Sequence, residues 1–192
     1  MADTGSLRVV GIAGSLRQAS YNRALLRAAQ ELAPERLKIE IHDLAGVPLF
    51  NEDVEAAGVP QAVADLRQAI AAADGLLIAT PEYNHGVPGV LKNAFDWLSR
   101  PPRKSVLQGK PTALMGATPG TTGTARGQSQ LRQSFVFTDT PAMLQPEVLV
   151  GRAHERFDAE GRLTDPKVRD YLVLFLERFV AWIERFRTPP GH

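Results

Sequence analysis

Residues 7–33, LRVVGIAGSLRQASYNRALLRAAQELA, decide the architecture. LRVVGIAG (7–14) is a short apolar, β-branched run of the kind that forms a strand covered on both faces, and it ends in small residues. From Tyr21 the period changes to that of a helix: Leu25, Leu26, Ala29 and Leu32 fall on one face, and Pro34 stops the run. Strand, tight turn and helix make the first half of a parallel crossover unit. The fold depends on whether that unit repeats.

It does. LKIEIHDL (37–44) sets Leu37, Ile39 and Ile41 against Lys38, Glu40 and His42, the period of two of a half-exposed edge strand. AGVPLFNEDVEAAGVP (45–60) reads as a loop into a helix near 60–73, with Pro60 in its first turn and Val63, Leu66, Ile70 and Ala73 toward the sheet. DGLLIATP (74–81) is a central strand, and Pro88 opens a helix, PGVLKNAFDWLS, that buries Val90, Leu91, Ala94, Phe95 and Leu98. PTALMGA (111–117) is the fourth strand. QSQLRQSFVF (128–137) fits a helix despite its aromatic and β-branched end. MLQPEVLV (143–150) is the fifth strand, where Pro146 argues for an edge or a bulge. The last helix has Asp165 as N-cap and Pro166 at its first position. Val168, Tyr171, Leu172, Phe175, Phe179, Trp182, Ile183 and Phe186 run down one face. Five strands and five helices in strict alternation predict an α/β, flavodoxin-like doubly wound fold. Its parallel sheet has the order 2-1-3-4-5, with helices on both faces. One domain over 1–192 is expected, with 1–6 and 188–192 as flexible tails.

Composition narrows the function. Twenty-two basic and 21 acidic residues leave a formal charge of +1, so no global field exists to recruit nucleic acid or an anionic membrane. An anion site must then be local. With no cysteine, disulfides, thiolate metal sites and cysteine nucleophiles are excluded. The N-terminus lacks a signal pattern and no stretch approaches the roughly 20 apolar residues of a membrane span. The expectation is a soluble cytoplasmic protein that binds neither nucleic acid nor membrane.

In a parallel sheet the segments after strands one, three and four share one edge, where ligands bind in this architecture. GSLRQASYN (14–22), TPEYNHG (80–86) and ATPGTTGTARG (117–127) therefore converge. In the first, helix-start N–H groups and the helix dipole favour an anion, Ser15, Ser20 and Asn22 offer hydrogen bonds, and Arg17 offers a planar fork. Equally, Ser20 can be a plain N-cap and Arg17 a solvated side chain. In the second, Tyr83 presents a flat aromatic surface between Glu82 and Asn84, or packs on its own fold. The third is rich in glycine and threonine, suited to close backbone approach or simply flexible. G-x-x-x-x-G-K-[ST] and G-x-G-x-x-G are both absent; Gly11 and Gly14 are spaced G-x-x-G. A low-molecular-weight phosphatase needs a thiolate the chain lacks, and a response regulator needs an Asp where Thr80, Pro81 and Glu82 stand.

The chain resembles the NADPH-dependent FMN reductase family, flavodoxin-like enzymes that include quinone, azo-dye and chromate reductases. The resemblance rests on G-S-L-R-x-x-S-x-N at 14–22, P-E-Y-N at 81–84 with G-V-P-G-V-L-K-N-A-x-D-W-L at 86–98, and G-x-x-R from 123. It implies that Ser15, Arg17, Ser20 and Asn22 bind the FMN phosphate, with Leu16 contributing backbone. It implies also that Pro81, Glu82, Tyr83 and Asn84 line the flavin ring, while Gly116, Ala117 and Thr118 approach the ribityl chain and ring. NADPH or NADH would be the co-substrate and a small molecule the electron acceptor: a quinone, azo compound, metal oxyanion or free flavin. Ping-pong turnover would follow, with no catalytic acid, base or metal supplied by the protein. A homodimer or homotetramer is implied as well. Trp97, Leu98, Phe135, Val136 and Phe137 are apolar enough for an interface or for core, and Arg126 and Glu147 are candidate interface ions. His85 is the one histidine near these loops. An electron carrier of the flavodoxin type is the alternative, which near-neutral charge disfavours, and a flavin-binding regulatory protein would carry the same cradle.

Overall fold

The computed structural model describes residues 5–187. The expected flexible tails fall outside them except for Gly5 and Ser6. Five strands, β1 (Leu7–Ala13), β2 (Leu37–His42), β3 (Gly75–Ala79), β4 (Thr112–Ala117) and β5 (Val148–Val150), form one sheet. Its order is β2-β1-β3-β4-β5, and every pairing is parallel. The helices are α1 (Tyr21–Leu32), α2 (Glu52–Ala57), α3 (Gln61–Ala72), α4 (Gly89–Leu98), α5 (Ala125–Thr138) and α6 (Pro166–Glu184).

Alternation along each strand divides the core in two. Leu7, Val9, Leu77, Ala79, Ala113 and Met115 point to the face covered by α1 and α6. Val10, Ile12, Leu76, Ile78 and Leu114 point to the face covered by α3, α4 and α5. Central strands buried on both faces explain their unbroken apolar runs.

Several details differ from the sequence reading. The loop after β2 contains the short helix α2, capped by Asn51, whose side chain accepts from the Asp53 N–H. The α-helices among the described residues therefore number six, and two of them lie between β2 and β3. The fifth strand is only Val148–Val150, on the sheet edge, because Pro146 has no N–H for a ladder. Ile41 emerges at the exposed end of edge strand β2. On α6, Leu176 and Val180 are buried, whereas Tyr171 and Phe186 are exposed. Trp97, Leu98 and Phe135 are core residues; Trp97 is only 1% exposed. No helix among the described residues is long and apolar enough to cross a membrane.

Candidate functional site

At the carboxyl end of β1 the chain turns outward as the Gly14 N–H donates to the Ala79 carbonyl at 2.9 Å. The Ser20 N–H donates to the Arg17 carbonyl at 3.1 Å, and Ser20 Oγ accepts from the Asn22 N–H at 3.2 Å, capping α1. Ser15 is buried, and its Oγ accepts from the Arg17 N–H at 3.4 Å. Among the described residues, the N–H groups of Leu16, Gln18 and Ala19 have no protein acceptor. The exposed Arg17 guanidinium forms no ion pair there either, lying over the Tyr21 ring at 6.0 Å from its centre. Free N–H donors, a helix start and a free guanidinium in five residues make an anion cradle. A groove of about 430 Å³ runs from Arg17–Tyr21 toward Asp158–Gly161.

Asn22 points elsewhere. Its Nδ2 donates to the Ala117 carbonyl at 2.8 Å and its Oδ1 accepts from the Ala117 N–H at 2.9 Å, with the residue 2% exposed. The amide thus closes a two-bond clamp between the first turn of α1 and the end of β4, and its hydrogen-bonding capacity faces the interior.

The second loop leaves β3 through buried Thr80 and Pro81. Tyr83 and Gly86 exchange backbone hydrogen bonds, at 3.1 and 2.9 Å. Between them Asn84 and His85 both have positive φ, 50° and 62°. Two successive left-handed residues, as in a type I′ turn, are costly for non-glycine side chains and cluster at functional sites. Tyr83 is 51% exposed, and its hydroxyl approaches Ser15 Oγ to 3.5 Å, joining the first two loops. His85 sits exposed at the turn's tip.

Glu82 turns away from this surface. Its Oε2 accepts from the Arg126 N–H at 2.9 Å and the Gly127 N–H at 3.0 Å, and its Oε1 lies 3.4 Å from the Arg126 guanidinium. Thr124, the residue before α5, is left-handed and supplies no side-chain cap, so Glu82 caps α5 from another loop. Burial opposes ionisation of Glu82, but the two N–H donors and the guanidinium outweigh it and hold the carboxyl below its ordinary value. Arg126, a candidate interface ion, is thus engaged within its own chain.

The third loop starts where Ala117 meets the Asn22 clamp. The Thr118 N–H donates to the Val150 carbonyl at 2.9 Å. A Cβ on Gly116 would lie 1.9 Å from Thr124 Oγ1 and 2.6 Å from the Thr80 carbonyl. Gly116 is therefore small to admit its own fold, and Thr118, partly exposed, is the group here nearest to open space.

The three loops do converge. Ser15, Leu16, Arg17, Ser20, Pro81, Tyr83, Asn84 and Thr118 gather at the carboxyl edge, with Asn22, Glu82 and Gly116 bracing them from within. Sequence reasoning named Arg126 through G-x-x-R but missed the contribution of Gly127 and Gln130 in the first turns of α5. It also missed how the loop after β2 is pinned to α4. Asn93 Oδ1 accepts from the Phe50 N–H at 2.7 Å, and Asn93 Nδ2 and Trp97 Nε1 each donate to the Pro48 carbonyl at 2.8 Å. Asn93 stands on α4 beside the equally polar Lys92 and Asp96, so its pattern carried no signal.

Comparison with known proteins agrees with this geometry. Residues 7–155 match the family model described as NADPH-dependent FMN reductase. An NAD(P)H-dependent FMN reductase of Pseudomonas aeruginosa is 50% identical over 181 residues, covering 94% of this chain and 97% of the relative. A quinone reductase of Pseudomonas putida is 44% identical over 180 residues, covering 94% and 96%. The solved structure of FerB, a flavoenzyme NAD(P)H:(acceptor) oxidoreductase of Paracoccus denitrificans, superposes with a TM-score of 0.86 at 36% identity, covering 94% and 98%. A match over most of the chain, together with the cradle after β1, shows that the chain belongs to the NADPH-dependent FMN reductase family.

Proposed function

We propose that this protein is an FMN-dependent oxidoreductase that takes reducing equivalents from NADPH or NADH and passes them to a small acceptor. Quinones are the first choice, because relatives at 44% and 42% identity are named quinone reductase and 2-hydroxy-1,4-benzoquinone reductase. Azo compounds, metal oxyanions and free flavin are further acceptors to assay. The observation that carries the reading is the anion cradle at Leu16–Ala19 and Arg17, on the same edge as the half-exposed Tyr83 turn.

These residues fit a flavin mononucleotide. Its phosphate would take the N–H groups of Leu16, Gln18 and Ala19, the Arg17 fork and the hydroxyls of Ser15 and Ser20. Pro81, Tyr83 and Asn84 would lie along its ring, with Ala117 and Thr118 toward the ribityl side. Glu82, Asn22 and Gly116 shape these loops rather than touch the ligand. When bound, FMN supplies hydride acceptance and donation, chemistry that no side chain here provides. The N–H groups of Glu82, Asn84 and His85, which have no acceptor among the described residues, would favour negative charge at the ring. An open edge lets nicotinamide and acceptor occupy one place in turn, which gives ping-pong kinetics.

We infer a homodimer or homotetramer in the cytoplasm. Val136 and Phe137, at the end of α5, are 81% and 75% exposed, an apolar tip suited to a second copy. The test of function is reconstitution with FMN followed by NADPH and NADH oxidation with a quinone. Turnover with a quinone supports the reading. A protein that takes up no FMN overturns the flavin assignment, and a yellow protein inert to both nicotinamides favours a carrier or regulatory role.

A further inference from the structure

The turn that presents Tyr83 is held from outside by one helix. On α5, Gln130 is four residues from Arg126 and three from Gly127, spacings that set it beside both, and all three meet the loop of residues 82–87. The upstream end of the turn is fixed by Glu82 on the N–H groups of Arg126 and Gly127. The downstream end is fixed by Gln130, whose Oε1 accepts from the Val87 N–H at 2.6 Å. The same oxygen lies 2.5 Å from where a Cβ on Gly86 would be, so Gly86 leaves the room that Gln130 fills. Gly127 permits the approach: its added Cβ would stand 3.3 Å from both the Pro81 and Gly86 carbonyls. Between these two pins lie Asn84 and His85, two successive non-glycine residues with positive φ.

We propose that Gln130 is a positioning residue for the flavin ring, acting with Glu82 as the second jaw of a clamp that holds the 83–86 turn in its strained form before any ligand arrives. Energy to hold a strained turn must come from contacts the turn does not make itself. Glu82 alone leaves the Gly86–Val87 end free to swing, and with it the direction of Tyr83 and Asn84. Gln130 closes that end. Because its backbone position is exposed and its amide reaches across to the loop, its effect lies on the loop and not on the core.

The proposal rests on the flavin reading above, so its test has one arm independent of flavin. Gln130→Leu removes the acceptor at similar size, and Gln130→Glu restores an acceptor oxygen at the same reach. In flavin-free protein, amide exchange at Gly86 and Val87 should accelerate about threefold to tenfold in Gln130→Leu and return toward the parent rate in Gln130→Glu. With FMN, the dissociation constant should rise by about the same factor in the first variant and recover in the second, with altered resolution of the flavin visible bands. Equal exchange and equal affinity in parent and Gln130→Leu would overturn the clamp, as would identical loss in both variants. Failure of the parent to bind FMN would instead strike the functional reading, while the exchange arm still decides whether Gln130 holds the turn.

Discussion

Asn22→Ala separates two roles for one residue. If Asn22 is chiefly a phosphate ligand, its loss weakens FMN binding and leaves the flavin-free fold alone, within about 0.5 kcal/mol. The structure assigns it the Ala117 backbone, through bonds of 2.8 and 2.9 Å in a site only 2% exposed. Removing the amide strands one buried N–H and one buried carbonyl at about 1–3 kcal/mol each. Partial access to water through the vacated space lowers the sum, and we expect about 3 kcal/mol. For a chain of this length that is a fall in Tm of about 6–12 °C. The assay is urea and thermal unfolding of FMN-free protein, since bound ligand would add its own stabilisation. Asn22→Asp should fall between the two, because it still accepts from the Ala117 N–H but turns an oxygen toward the Ala117 carbonyl. A flavin-free Asn22→Ala protein as stable as the parent would refute the clamp.

Other perturbations have distinct signatures. Arg17→Ala should weaken FMN binding about tenfold or more at unchanged stability, because a charged hydrogen bond is lost from an exposed side chain; isothermal titration beside a melt checks both. Gly116→Ala forces a Cβ to within 1.9 Å of Thr124 Oγ1, and should cost about 1–3 kcal/mol in denaturant unfolding through displacement of the third loop. Glu82 is held below its ordinary value of 4.5 in the fold, so its contribution is full above that value and is lost as pH falls through the lower, folded one. The stability gap between the parent and Glu82→Gln should therefore be constant near neutrality and shrink on acidification; a gap that widens toward acid would contradict the geometry.

The topology was legible because its signal is periodic. Unbroken apolar strands, helices with 3.6-residue spacing and one alternating strand specify a parallel sheet and its edge, and β2 is that edge. The meeting of the first two loops at one edge followed from topology alone. What the sequence withheld was direction. Glu82, Asn22 and Gly116 stand in the right motifs, yet each turns toward the protein: Glu82 to α5, Asn22 to β4, Gly116 to Thr124. A motif marks which residues gather, whereas the facing of each side chain depends on which backbone groups the fold leaves unpaired nearby. Those groups come from distant segments, 44 residues away for Glu82 and Arg126 and 95 for Asn22 and Ala117. The helix α2 escaped for a different reason: six residues carry too few turns for a periodic signal.

That division of labour has a physical cause. A cradle for an anion needs donors that nothing else satisfies, and a folded chain tends to satisfy every donor it buries. Here polar side chains near the carboxyl strand ends are consumed internally: Asn22 on Ala117 and Glu82 on α5. Each such pairing fixes a loop without offering anything to a ligand. The groups left open at this edge are those on the outer rim, the N–H donors of Leu16, Gln18 and Ala19, the Arg17 fork and the Tyr83 ring. Rigid support beneath and free donors above would let the proposed site bind without first ordering its loops, which is where a flexible site would lose affinity. Substitutions in the supporting layer should consequently alter stability and affinity together, and substitutions on the rim should alter affinity alone.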